Sequence, residues 1–121
     1  MSAAEQRGDK PYITIERETR PVNVLFGDVI VATTEEALVL KEGSYAPVIY
    51  VPRAHVATEF FLPTDHRTTC PHKGEARYWT ISAAGRAAEN AAWAYDTPKA
   101  EAAAIAGHVA FYPDRLRIEV G

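Results

Sequence analysis

Apolar and polar residues alternate along most of this chain with the two-residue period of β-strands, not the 3.6-residue period of helices. Tyr12 to Glu16 reads Tyr-Ile-Thr-Ile-Glu, rich in β-branched residues as a half-buried strand requires. Val22, Val24 and Phe26 repeat the alternation, and the Gly27-Asp28 pair then turns the chain into Val29-Ile30-Val31, a hairpin pattern. Ala37 to Lys41, Val48 to Val51 and Val56 to Phe61 give three further short strands, punctuated by Glu42-Gly43-Ser44, Pro52 and Pro63.

The second half continues the pattern with one interruption. Arg77 to Ser82 predicts a strand, Ala83 to Gly85 a turn, and Arg86 to Glu89 with Asn90 to Tyr95 further strand. Thr97 as cap, Pro98 at the first helical position, the alanine run to Ala106 and a closing Gly107 predict one short helix near 98–106. His108 to Tyr112 and Leu116 to Val120 close the chain around the Pro113-Asp114-Arg115 turn. The fold class is mostly β (β-rich α+β), with roughly ten short antiparallel strands in a sandwich-like or barrel-like arrangement.

Composition adds limits to this picture. A chain of 121 residues is long enough to bury a core as one domain, read here as 11–121 after a loose N-terminus at 1–10. Those first residues lack the apolar stretch of a secretory signal, and no run approaches the roughly 18 apolar residues of a spanning helix, so a cytoplasmic protein without membrane contact is expected. One cysteine excludes an internal disulfide and a cysteine-based zinc site. A net charge of -3 argues against nonspecific nucleic-acid binding, which draws its affinity from many phosphate contacts.

Candidate chemistry concentrates between Thr68 and Trp79. Cys70 is a potential nucleophile if Lys73, Arg77 or a protonated His72 stabilises its thiolate, although free cysteine more often serves as a small buried hydrophobe. His66, Cys70 and His72 are metal-ligand types, yet their spacing matches no common zinc arrangement, and no metal or other cofactor is assigned. Arg67, Lys73 and Arg77 against Glu75 make this stretch cationic, and Lys73-Gly74 offers an ammonium beside a backbone open to close approach. Nucleotide P-loop spacing is absent. Tyr78, Trp79, Trp93, Tyr95, Phe111 and Tyr112 supply aromatic walls, with adjacent residues expected on opposite sheet faces. Arg53 is a further oxyanion-recognising candidate at the rim.

The residues Asp65, Thr69-Cys70-Pro71, Lys73-Gly74, Ala76, Tyr78-Trp79, Ala92-Trp93-Ala94-Tyr95, Ile105-Ala106-Gly107 and Phe111-Tyr112 resemble the domain of unknown function 427 (DUF427) family, over the stretch from Pro21 to Val120. The resemblance implies a small bacterial single-domain protein, β-rich and cytoplasmic, related to the beta-tent architecture in which two sheets meet at an angle. It brings no established activity, and the nucleotidyltransferase label attached to the family finds no nucleotide motif here. His72 departs from the aromatic residue that commonly follows Cys-Pro in the family, which marks a variable rim position. The paired C-x-x-C zinc site of beta-tent relatives is absent with Cys70 alone.

Three functions compete on these grounds. The first is binding of a small polar or anionic molecule in a pocket built from Arg53, Thr69, Cys70, Lys73, Gly74, Tyr78, Trp79 and Trp93. The second is a thiol-dependent enzyme with Cys70 as its catalytic residue. The third is a homo-oligomeric interaction module, a homodimer in its simplest form, that works without catalysis.

Overall fold

Seven strands form one antiparallel sheet and three form a second in the computed structural model of the chain, which describes residues 12–121. The 1–10 segment read as a loose terminus lies outside the described residues. In chain order the strands are β1 (Ile13–Glu18), β2 (Val22–Phe26), β3 (Val29–Thr34), β4 (Ala37–Glu42), β5 (Val48–Pro52), β6 (Phe61–Cys70), β7 (Gly74–Ala83), β8 (Arg86–Ala94), β9 (His108–Phe111) and β10 (Arg117–Val120). The large sheet runs β1-β4-β5-β9-β8-β7-β6 and the small one β10-β2-β3. Neither sheet closes on itself, so of the two arrangements expected the barrel is not the one formed.

Strand alternation divides the buried residues into two cores. On one face of the large sheet, Val51, Trp79, Ile81, Val109 and Phe111 pack with Val22, Val24 and Val31 of the small sheet. Each such aliphatic or aromatic side chain contributes about 1.5–3 kcal/mol when fully removed from water. The neighbouring residues in the same strands, Tyr50, Tyr78 and Ala110, point to the other face, where they join Ile13, Leu40 and Tyr95 in a second cluster. Ala102 and Ile105 close that cluster from a segment laid over it.

One expectation is corrected and one is refined. Val56 to Phe61 is not a strand: 3-10 turns at Arg53–His55 and Thr58–Phe60 surround an isolated bridge between Ala32 and Val56, and the real strand is Phe61–Cys70. β6 pairs only with β7 and is exposed along most of its length, so neither face imposes apolar alternation, and Pro63 sits beside the register shift between Pro63 and Arg67. The short helix expected near 98–106 is present as a kinked 3-10 segment, Ala100–Ile105, entered from Lys99 with no side-chain cap among the described residues and broken at Ala102 (φ -123°, ψ 19°). A helix this short has too few hydrogen bonds to impose its own geometry, and the burial of Ala102 and Ile105 decides its path.

Candidate functional site

The β6–β7 hairpin places Cys70 and Gly74 as paired residues, with Pro71, His72 and Lys73 forming its turn. Gly74 is buried at φ +108°, a conformation that disfavours any side chain, and a Cβ there would stand 3.5 Å from the Thr97 carbonyl oxygen. The turn is fastened to the segment that follows β8. Lys99 N–H donates to the Lys73 carbonyl (3.0 Å), Lys99 Nζ donates to the Pro71 carbonyl (2.8 Å), and His72 Nδ1 lies 3.2 Å from Glu101 Oε1.

Inside the turn, Lys73 reaches across to Glu42 at the end of β4 and forms an ion pair with Oε1. Both side chains are nearly withdrawn from water, at 13% and 12% exposure. Cys70 Sγ donates to the other carboxylate oxygen at 3.9 Å, and Tyr95 places its ring 5.7 Å from the Lys73 ammonium. The Glu42–Lys73 pair with Cys70 is the polar end of an open concavity of about 640 Å³. Leu40, Val48 and Ala46 line it, together with Tyr12, Tyr45, Thr69, Pro71 and His72. Tyr12 stacks against the His72 ring with centroids 4.4 Å apart, and Tyr45 is 70% exposed at the mouth.

Of the residues expected in one pocket, Thr69, Cys70 and Lys73 line this concavity, while Gly74 shapes its turn from below. Tyr78 and Trp93 are cross-strand partners on the same sheet face but form an adjoining aromatic shelf. Tyr78 Oη lies 2.8 Å from Thr68 Oγ1, His66 stacks on the Tyr78 ring at 4.5 Å, and Trp93 packs on Tyr112 at 4.5 Å. Burial, followed by the hydrogen bond with Tyr78, pushes the Tyr112 hydroxyl up to about 12. Trp79 points through the sheet to the opposite core, and Arg53 lies with it, 5.1 Å from its ring. A single strand cannot turn Tyr78 and Trp79 to the same site, which is why the expected eight residues separate.

The thiol has no imidazole partner. His72 is engaged by Glu101, His66 lies on Tyr78, His108 is bonded to the Ala106 carbonyl (3.0 Å), and His55 is bonded to Thr34 (2.7 Å). Among the described residues, no three side chains of His, Cys, Asp and Glu gather as a metal-binding group. Behind the concavity, Tyr50 is 1% exposed and its hydroxyl has no hydrogen-bond partner among the described residues. Burial raises the pKa of this hydroxyl well above the ordinary tyrosine value. The Trp93 side chain opposes the shift without coming into hydrogen-bonding geometry, and the Glu42 carboxylate adds to it.

Sequence reasoning passed over Tyr12, Glu42, Tyr45 and Val48. Glu42 was read as part of a turn, and its partner lies 31 residues later, beyond any local pattern. A second concavity, of about 580 Å³, also went unread. In it Thr34 Oγ1 meets His55 Nδ1 at 2.7 Å and accepts from Glu36 N–H at 2.9 Å, while His55 Nε2 lies 3.6 Å from Glu36 Oε2. This network fastens the β3–β4 turn to the 3-10 turn after β5.

The chain is an open antiparallel two-sheet β domain with a concavity of about 640 Å³ at a hairpin turn. Residues 14–121 match the domain of unknown function DUF427, and the chain belongs to that family. No curated protein matches the chain. Among the described residues, no helix is long and apolar enough to cross a membrane.

Proposed function

We propose that this protein binds a small polar molecule in the concavity beside the Cys70–Lys73 turn. The observation that carries the reading is the withdrawn Glu42–Lys73 pair at the inner end of an otherwise mostly apolar and aromatic recess. Ligand sites commonly combine such walls with a few fixed polar groups that set orientation. The pair is neutral overall, so it favours a ligand offering both a donor and an acceptor over a simple anion. A zwitterionic or amide-bearing compound fits this end, with its apolar part against Leu40, Val48 and Tyr45.

Binding is favoured over thiol catalysis because Cys70 faces a carboxylate, its neighbouring ammonium is occupied by that same carboxylate, and no imidazole reaches it. The test is a thermal-shift screen of amino acids, nucleosides, small amides and sugar phosphates against wild type and Glu42→Gln. The expected result is a stabilising zwitterion or amide whose shift is lost in the variant. Stabilisation confined to anions, or equal in both proteins, would refute the assignment.

A further inference from the structure

On the opposite face of the large sheet from the Cys70 concavity, Trp79 carries a guanidinium group near its ring from each of two arginines. Arg77 Cζ is 4.5 Å from the ring centroid and Arg53 Cζ is 5.1 Å away. Arg77 comes from β7, two residues before Trp79. Arg53 arrives from the turn after β5, where its N–H donates to the Gly107 carbonyl at 2.9 Å. Arginines from β7 and from the turn after β5, strands not adjacent in the sheet, therefore converge at Trp79.

Their only ionic partner among the described residues is Asp96, and it satisfies neither of them. Asp96 Oδ1 is 4.0 Å from Arg53 Nη1, and Oδ2 is 3.6 Å from Arg77 Nη1, both beyond ordinary hydrogen-bond length. Arg77 Nε is buried without a hydrogen-bond partner among the described residues. Two guanidiniums facing one carboxylate leave an excess of one positive charge, with most of ten N–H donors unused. Stacking on an indole holds guanidinium planes in place and lowers the entropy lost when they bind a ligand.

We infer that Arg53 and Arg77 form an oxyanion site for a phosphate group, and that Asp96 occupies it in the unliganded protein as an internal competitor. A planar carboxylate reaches both guanidiniums only at long range, whereas a tetrahedral oxyanion directs oxygens toward both at once. Asp96 is 53% exposed and lies beyond the end of β8, so it can turn outward to solvent when a phosphate enters. The phosphate is either free or carried by a monoester.

The two tryptophans provide the assay, because Trp79 lies at this site and Trp93 lies on the other face. Indole N–H resonances are followed by heteronuclear NMR while inorganic phosphate or glycerol 3-phosphate is added at constant ionic strength. The Trp79 signal is expected to move saturably and the Trp93 signal to stay, with the tighter of the two probes identifying the source of the phosphate. Asp96→Asn is expected to tighten binding about two- to fivefold, the range that an exposed ion pair is worth. Arg53→Gln, at a 49% exposed side chain, is expected to weaken it while leaving the fold intact. An Asp96→Asn protein that binds no tighter than wild type, an Arg53→Gln protein that binds equally well, or equal movement of both indoles would overturn the assignment. A purely structural ion pair predicts lower stability for Asp96→Asn and no gain in phosphate affinity.

Discussion

Replacing Lys73 by methionine removes the ammonium from the Glu42–Lys73 pair while keeping the length of the side chain. An exposed pair is worth about 0–1 kcal/mol, and breaking a fully buried one costs about 3–5 kcal/mol. At 13% and 12% exposure this pair lies between those limits. Lys73→Met is therefore expected to destabilise by about 2 kcal/mol, because Glu42 is left half-dehydrated without its cation. Glu42→Gln should cost about as much by stranding the ammonium. The double variant removes both charges together and should cost about 1 kcal/mol, giving a coupling energy of about 3 kcal/mol against the two single variants. Urea denaturation of the four proteins reads this directly, provided the m-value stays constant, and a 2 kcal/mol loss also appears as a fall in Tm of about 8 °C or more. The coupling should persist at 0.5 M salt, since withdrawn pairs are poorly screened. Strictly additive single variants, each costing under about 0.5 kcal/mol, would show a solvated pair and remove the fixed polar end from the proposed site.

Tyr50→Phe deletes a buried hydroxyl without a partner among the described residues and is expected to stabilise the protein by about 1 kcal/mol in the same assay; destabilisation would reveal a hydrogen bond to that oxygen. Tyr50, Tyr95 and Tyr112 are shifted upward chiefly by burial, so an absorbance titration at 295 nm should show these three still protonated near pH 10 in the folded protein. Their folded pKa values exceed the unfolded one, so this stability is complete below about pH 10 and is lost as pH rises further. Ionisation of Tyr50, Tyr95 and Tyr112 near pH 10 in the folded state would contradict the burial. Gly43→Ala places a Cβ 2.7 Å from Tyr12 Cε1 at a residue with φ +53°, and should cost about 1–2 kcal/mol and loosen the Tyr12–His72 stack. An unchanged urea midpoint would show that Tyr12 moves freely.

How much of this was legible depended on whether two faces of a strand differed in burial. β2, β5 and β9 lie inside their sheets or against a core, and their Val, Ile and Phe periodicity predicted them closely. β6 is an edge strand with both faces mostly in water, so its Thr, Asp, His and Arg residues carried no period that would mark a strand. Of the Thr68 to Trp79 stretch, Thr69 to Lys73 line one side of the concavity, because they sit at and beside one hairpin turn. Its other half, Tyr12, Leu40, Glu42, Tyr45 and Val48, comes from the β1–β4–β5 end of the sheet, opposite in strand order to β7 and β6. No local spacing encodes that contact. The division of Tyr78 from Trp79 was implicit in strand alternation, but where each face led required the second sheet.

The most direct test of small-molecule binding at the Cys70 turn is to compare what wild type and Ala46→Trp retain. Ala46 is exposed on the rim of the concavity and outside both cores, so tryptophan there fills the recess without disturbing the fold. Each protein is incubated with a cell-extract metabolite fraction, desalted and analysed by native mass spectrometry. A small polar adduct of one-to-one stoichiometry is expected on wild type, and its loss on Ala46→Trp. An adduct retained equally by both proteins, or none on wild type at metabolite concentrations that saturate ordinary binding sites, would contradict binding there.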